Sequence, residues 1–202
     1  AVFEGETIQV SWNGVESGNT TQAHRILSPK PFAVRAWTDY LQGLEKGFVV
    51  LDQHKRAEKV YAGVAGLAKK EGAELPQYKA LFTEVTGLVE HPWFLMGTFD
   101  KKHLDLPPEV LETTLRVHQR YFLLYKNGAP TNKFIVVTNM PTNDQSMADS
   151  MVQGYEKVLH ARLEDAAFYW HQDQKTSLVD FTPRLKDSLF HKDLGSMWEK
   201  KS

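Results

Sequence analysis

Residues 120–138 read RYFLLYKNGAPTNKFIVVT, and this stretch decides the fold class. Two apolar segments, Arg120 to Lys126 and Phe134 to Thr138, flank the pair Asn127-Gly128, which favours the tight turn of a β-hairpin. We therefore predict two antiparallel strands here. The apolar run from Trp93 to Phe99 predicts a further strand.

Helical patterns surround the hairpin. The longest predicted helix runs from about Ser146 to His171, and Phe168 falls on its polar face. Phe168 is then either exposed, which favours contact with another domain or partner, or covered by the chain's tail. Apolar side chains recur every three or four residues along this helix, as one buried face requires, at Val152, Tyr155, Leu159, Leu163, Ala166 and Trp170.

The remaining elements alternate without a regular βαβ rhythm. We expect an α+β fold in which helices flank a mostly antiparallel sheet. The other predicted helices start near Thr38, cover Ala57 to Gly72, cover Tyr78 to Leu88, run from Pro107 to about Gln119, and start near Pro183. The other predicted strands are Thr7 to Trp12, followed by the turn Asn13-Gly14, and a buried strand Phe48 to Leu51, followed by Asp52 as a helix N-cap.

The composition is that of an ordinary globular domain. Hydrophobic residues make up 42% and charged residues 24%, which excludes a disordered tail or a collagen-like fibre. The 24 Lys+Arg and 25 Asp+Glu leave a net charge of -1, so bulk charge gives no argument for nucleic acid, although a local basic patch stays open. The first residues show no positively charged segment followed by an apolar one, and no apolar run is long enough to span a membrane. Since the chain begins at Ala1 rather than Met, we expect an excised piece of a longer protein.

Motifs for catalysis and metal binding are missing. The absence of cysteine excludes disulfides, cysteine nucleophiles and thiolate zinc sites. The eight histidines are scattered, and since a site needs three or four ligands, we predict no metal. His160 and Glu164 could share a helix face, but one such pair is common by chance. Without a nucleophile elbow or a phosphate-binding loop, we predict no catalytic residue, and if the protein belongs to an ATP-using system, the ATP site lies elsewhere.

Polar chemistry suited to a polyanion gathers just before the hairpin. Arginine offers paired donors to phosphate and aromatic rings offer stacking surfaces, and both occur at Arg116, His118, Gln119, Arg120, Tyr121 and Phe122. The alternative is a solvated helix end, where basic residues favour the helix dipole. Lys157 and Arg162 are similar, and Arg162 could instead pair with Asp165.

The same residues carry a family resemblance. TLRVHQRYF at 114–122 is similar to the T-[ML]-[RK]-x-[HD]-Q-[KR]-Y-F segment of the bacterial glycyl-tRNA synthetase β subunit. Two departures matter, since Tyr155 replaces the usual Asn and Gln174 replaces the usual Arg. Further similar segments occur in the family's order, namely GNTTQAHR at 18–25, VEHP at 89–92, FIVVTN at 134–139, GYEKVL at 154–159, ARLEDA at 161–166, DQK at 173–175 and LGS at 194–196.

The resemblance implies one module of a larger enzyme. Residues 1–202 would form a single domain similar to the B3/B4-type module of the phenylalanyl-tRNA synthetase β chain, with 190–202 beginning the connection to an HD-type domain. The enzyme would be cytoplasmic and join glycine to tRNA-Gly with ATP. Its partners would be tRNA-Gly, the α subunit and the remaining β-subunit domains. No association with a membrane is implied. ATP and Mg would bind the α subunit, and no cofactor is implied in this fragment.

The implied role of the fragment is to support recognition of the tRNA acceptor end and the architecture of the subunits. Phe168 is the candidate for contact with a partner. The candidate tRNA contacts are His24, Arg25, Arg116, His118, Gln119, Arg120, Lys157, Arg162 and Lys175. Two alternatives stay open, an editing hydrolase of mischarged tRNA and a purely structural scaffold. Editing has less to do here, because a synthetic site that fits only glycine already excludes larger amino acids.

Overall fold

The computed structural model describes residues 2–3 and 5–201, so Ala1, on which the expectation of an excised fragment rests, lies outside the described residues. The helices are α1 (Trp37–Lys46), α2 (Gln53–Lys70), α3 (Lys79–Leu88), α4 (Pro108–Glu112), α5 (Gln145–Asp173), α6 (Leu178–Phe181) and α7 (Met197–Lys201). The strands are β1 (Val2–Phe3), β2 (Glu6–Thr7), β3 (Ser11–Trp12), β4 (Val15–Glu16), β5 (Thr20–Thr21), β6 (Phe32–Ala33), β7 (Trp93–Thr98), β8 (Phe122–Lys126), β9 (Ala129–Thr138), β10 (Leu189–His191) and β11 (Gly195–Ser196).

The central sheet contains three antiparallel strands in the order β7-β9-β8. It confirms the predicted hairpin and the predicted strand beginning at Trp93. The hairpin turns at Asn127 and Gly128, whose φ angles of 52° and 75° match the tight turn that this pair favours. The other paired strands, β1-β2, β3-β4, β5-β6 and β10-β11, form separate two-stranded ladders.

Both faces of the central sheet are buried. Alternate residues of β8 point to opposite sides: Phe122 and Leu124 pack with the buried residues of α2 and α3, whereas Leu123 packs with α4 and α5. This arrangement explains why β8 reads as a continuous apolar run rather than an alternating one. The predicted α+β fold with flanking helices is therefore confirmed.

The long helix α5 confirms the longest predicted helix. Asp144 caps it, since its carboxylate accepts a hydrogen bond from the Met147 N–H at 2.9 Å. Leu159 and Leu163 are fully buried against the sheet. Phe168 lies on the far side with 58% of its surface exposed, so it is not covered by the chain's tail, and its contact with a partner stays a prediction.

The predicted strand Phe48 to Leu51 is wrong. Phe48 follows the end of α1 with a left-handed φ of 61°, and the Val49 N–H donates back to the Leu44 carbonyl at 2.9 Å. The segment then makes one bridging bond, from the Val50 N–H to the Glu90 carbonyl. Its apolar residues form the segment that leaves α1, and they do not pair as a strand in a sheet. Asp52 does cap α2, as predicted.

Three further predicted elements are shorter or broken. The strand predicted from Thr7 to Trp12 is divided between two hairpins, the second of which turns at Asn13-Gly14. The helix predicted from Pro107 stays α-helical only as far as Glu112 and continues as a π-helix over Thr113–His118, a widening that apolar spacing does not reveal. The helix predicted near Pro183 is a 3-10 turn. Within residues 2–3 and 5–201, no helix combines the length and apolarity needed to span a membrane.

Candidate nucleic-acid interface

A cleft of about 680 Å³ opens between α2 and α3 on the outer side of the helical layer. The ring of Tyr61 faces that of Phe82 with centroids 5.3 Å apart. Phe82 also packs on Phe122, a fully buried sheet residue, with centroids 4.7 Å apart. The core therefore fixes one ring, whereas Tyr61 is 62% exposed and free to contact a flat ligand.

Polar groups surround these two rings. His54 lies in the first turn of α2 and Lys79 in the first turn of α3, and both line the cleft. No carboxylate of residues 2–3 and 5–201 lies within ion-pair distance of the Lys79 ammonium. Tyr78 occupies the N-cap position of α3 and provides no side-chain hydrogen bond to the helix. The start of α3 thus combines an uncapped helix terminus with a lysine, an arrangement suited to an anion.

The cleft is held in shape by Arg56. Its Nε–H donates to the Thr86 carbonyl at 2.8 Å, which joins α2 to the end of α3. One of its terminal nitrogens also donates to the carbonyls of Val50 and Leu51. Because the Arg56 guanidinium donates to these backbone carbonyls, it holds α2 and α3 in position and is not directed at a ligand.

The half-buried carboxylate of Glu112 links the cleft to the basic segment. The Tyr125 hydroxyl donates to Glu112 Oε1 at 2.7 Å, and the Tyr78 hydroxyl donates to the Leu123 carbonyl while lying 3.4 Å from the same Oε1. Burial, reinforced by the Glu112 carboxylate, raises the pKa of Tyr78 and of Tyr125 far above the ordinary value. Both hydroxyls therefore stay protonated and act as donors. Arg116 completes the group, with Nη2 3.5 Å from Glu112 Oε2.

The predicted basic segment carries cations that already have partners. Arg116 pairs with Glu112, and Arg120 Nε–H donates to Glu84 Oε1 at 2.7 Å while its terminal nitrogen contacts the Val117 carbonyl. His118 is exposed and Gln119 is half-buried. A phosphate contact from either arginine would have to compete with a carboxylate, which reduces its net gain.

His24, the most N-terminal predicted contact, is buried to 2% exposure. Its Nδ1 accepts from the Ile26 and Leu27 N–H groups, and its Nε2–H donates to the Asn139 carbonyl at 2.8 Å. This pattern specifies the neutral tautomer protonated on Nε2. The ring ties the N-terminal segment to the end of β9, while the neighbouring Arg25 side chain is exposed.

The remaining predicted contacts lie on the other side of the sheet. Lys157 and Arg162 are exposed on α5, which packs against the face opposite α2 and α3, and Lys175 follows the end of that helix. Arg162 Nη1 lies 3.9 Å from Asp165 Oδ2, so the intrahelical pair considered above is present. The structure does not bring the nine predicted residues into one patch. Their role as tRNA contacts stays a prediction.

Comparison of the sequence with known proteins identifies the family of this chain. The sequence profile described as glycyl-tRNA synthetase beta subunit matches residues 1–202. The chain belongs to this family. It is 40% identical over 201 residues to the glycine–tRNA ligase beta subunit of Myxococcus xanthus, covering 99% of this chain and 28% of that protein. It is 37% identical over 200 residues to that of Aquifex aeolicus, covering 99% and 29%. The chain thus spans less than a third of these relatives.

The two departures from the glycyl-tRNA synthetase beta subunit pattern have local explanations. Tyr155 is half-buried and its ring meets that of Tyr121 edge-on, with centroids 5.9 Å apart, so this residue fills core space. Burial raises the pKa of Tyr121 to about 12, and its hydroxyl stays neutral. Gln174 is exposed at the C-cap of α5, where its backbone N–H bonds to the end of the helix.

Sequence reasoning missed the cleft residues of this family member. Tyr61 directly follows Val60, a residue of the buried stripe of α2, and a large aromatic ring beside that stripe was a usable signal. Phe82 gave none, because it follows Leu81 in a helix whose apolar residues all suited a core. Lys79 is one of many exposed lysines and becomes notable only next to the cleft.

Proposed function

We propose that the chain is part of a glycine–tRNA ligase and helps to recognise the acceptor end of tRNA-Gly. The cleft between α2 and α3 receives an unpaired base from the 3′ end. The observation that carries this proposal is the exposed Tyr61 ring held beside the core-anchored Phe82. Single-stranded RNA is commonly recognised by splayed bases that stack on aromatic side chains.

The start of α3 supports the same assignment. A base in the cleft carries a phosphate with it, and Lys79 together with the uncapped N–H groups of the first helical turn offers that phosphate a cation and hydrogen-bond donors. Nucleic-acid binding through such contacts releases counterions and therefore depends on salt. Base stacking and phosphate binding would occur within one site.

The basic residues predicted from the sequence take secondary positions in this proposal. Arg25, His118 and Lys157 are exposed and could contact the tRNA backbone beyond the cleft. Arg116 and Arg120 would first have to leave their glutamate partners. His24 supports the N-terminal segment from within. Aminoacylation itself, with ATP and Mg, is assigned to the α subunit.

A second candidate role is to hold other parts of the enzyme. Phe168 and Tyr169 are 58% and 64% exposed on α5, and their rings meet edge-on with centroids 5.5 Å apart. Adjacent exposed aromatic residues are enriched where proteins associate. This pair lies on the sheet side opposite the cleft, so the α subunit or the other β-subunit domains could dock there while tRNA occupies the cleft.

Fluorescence anisotropy of labelled tRNA-Gly, titrated with the chain at several salt concentrations, tests the tRNA proposal. We expect saturable binding that weakens steeply with salt and prefers tRNA-Gly over a non-cognate tRNA. No binding at low salt would contradict it and favour the scaffold role, for which Phe168→Glu should impair assembly with the α subunit. Release of amino acid from mischarged tRNA by the chain would instead indicate editing.

A further inference from the structure

Three potential metal ligands from two elements converge beside α5. His103 lies in the 3-10 turn Lys101–Asp105 that follows β7, and His160 and Glu164 lie one turn apart on α5. One ligand atom from each lies within 4.8 Å of the other two, and no second such trio occurs among residues 2–3 and 5–201. The family comparison concerns tRNA and gives no reason for this cluster.

The distances suit a small divalent ion. His103 Nε2 lies 3.3 Å and His160 Nδ1 3.8 Å from Glu164 Oε1. Ligands at about 2.0–2.1 Å from a tetrahedral zinc ion lie about 3.3 Å from each other. The distance from His103 Nε2 to Glu164 Oε1 already equals this ligand–ligand separation. His160 is exposed, so a small side-chain movement would bring its Nδ1 to the same distance from Glu164 Oε1.

The buried histidine gives an independent indication. The His103 side chain is 97% buried, and its Nε2 makes no hydrogen bond of good geometry in the described structure, although Glu164 Oε1 lies 3.3 Å away. An unsatisfied buried nitrogen is costly, so its position calls for a ligand.

We propose that His103, His160 and Glu164 bind one zinc-class divalent ion, with water in the fourth position. Two imidazoles and one carboxylate form a donor set typical of zinc and unsuited to magnesium or calcium. Two of the three ligands, His103 and Glu164, also line a cavity of about 440 Å³, and Phe168 lines the same cavity. The ion would join the turn after β7 to α5 below the exposed aromatic pair.

Lys102 competes for the same carboxylate. Its Nζ lies 2.6 Å from Glu164 Oε1, the oxygen that the ion would take. The lysine is exposed on a flexible stem, so it can leave when a doubly charged ion arrives. This competition gives a discriminating expectation: removing the ammonium should tighten metal binding, whereas removing any ligand should weaken it.

Isothermal titration of the chain with zinc chloride at neutral pH tests the site. We expect one saturable equivalent in the wild type, with affinity reduced at least about tenfold in His160→Asn and Glu164→Gln. Lys102→Met should bind more tightly. Titration with cobalt(II) should produce the visible absorption of a tetrahedral ion in the wild type and lose it in His160→Asn.

Controls separate this site from other surface histidines. His191 Nδ1 lies 3.9 Å from Asp193 Oδ2 in another exposed histidine–carboxylate pair. The His191→Asn variant should therefore still bind one equivalent of zinc. His160 and Glu164 are exposed, so their variants should fold even if His103→Gln does not. Absence of a saturable equivalent, or undiminished binding in His160→Asn, would overturn the proposal.

Discussion

The ring of Tyr61 lies 5.3 Å from that of Phe82, and only Phe82 is anchored in the core. The pair therefore joins a solvent-facing surface to a rigid support. A ligand that stacks on Tyr61 meets a ring whose position is limited by its neighbour, which reduces the conformational entropy lost on binding.

Replacing Tyr61 by alanine should weaken tRNA binding without unfolding the chain. Loss of one stacking ring typically reduces binding by about 1–3 kcal/mol, which is roughly 5- to 150-fold. Anisotropy titrations with tRNA-Gly measure this effect, and thermal melting checks the fold. Tyr61→Phe should keep most of the affinity because stacking requires the ring and not the hydroxyl.

Tyr169→Ala provides the matched control for this substitution. Tyr169 is as exposed as Tyr61 but lies on α5, on the far side of the sheet. Equal losses of affinity in Tyr61→Ala and Tyr169→Ala would indicate that the cleft is not the binding site.

Lys79→Gln should reduce the salt dependence of tRNA binding. If Lys79 neutralises one phosphate, the slope of log affinity against log salt should become shallower by about one. Arg120→Gln should change the slope less, because Arg120 is already neutralised by Glu84 at 2.7 Å. The reverse ranking of the two variants would place the phosphate contact at the basic segment instead.

Two glycines of α2 should respond in opposite directions to alanine. A Cβ at Gly66 would meet nothing within 4 Å, so Gly66→Ala should stabilise the helix by about 0.5–1 kcal/mol. A Cβ at Gly63 would collide with the Phe94 ring, which packs on the core, and Gly63→Ala should destabilise by about 1–3 kcal/mol. Urea unfolding measures both, and stabilisation by Gly63→Ala would show that the Phe94 ring does not pack closely against Gly63.

The sheet and its long helix were predictable because their signals are local. Asn127-Gly128 fixes the hairpin turn, and the spacing of Leu159 and Leu163 defines the buried face of α5. The strand prediction for Phe48 to Leu51 was wrong because an apolar run looks like a buried strand whether or not a partner strand exists. Only the tertiary structure shows that these residues leave α1 in a left-handed conformation.

The candidate sites depended on pairs that no local pattern connects. Tyr61 and Phe82 belong to different helices. The pair His160 and Glu164 was visible, but its third member, His103, comes from a distant turn. The basic segment from Arg116 to Arg120 was found from its local sequence, whereas Glu84, the partner of Arg120, lies on another helix and became apparent only in the fold.

Acid should destabilise the chain in part through His91. Burial lowers the pKa of its ring, and the charge of Lys59 acts in the same direction. The folded state disfavours the protonated ring. The contribution of His91 to the free energy of unfolding is therefore complete above the ordinary histidine pKa of 6.5, and it is lost as the pH falls below that value towards the lower pKa of the folded state.

Urea midpoints at about pH 7.5 and about pH 5.5 measure this loss on either side of the ordinary histidine pKa. His91→Phe keeps a ring against Trp93, whose centroid lies 4.2 Å away, but cannot titrate, so its midpoint should fall less on acidification. His171→Gln removes an exposed histidine as a control. An identical fall in wild type and His91→Phe would exclude His91 as a source of acid sensitivity.

The most direct test compares tRNA-Gly with the same tRNA lacking its 3′-terminal unpaired bases, using wild-type chain and Tyr61→Ala in one anisotropy experiment. If the cleft holds a terminal base, truncation should weaken binding to the wild type and have little further effect on Tyr61→Ala, because both changes remove the same stacking contact. Equal losses on truncation in the two proteins would contradict the assignment of the acceptor end to the cleft between α2 and α3.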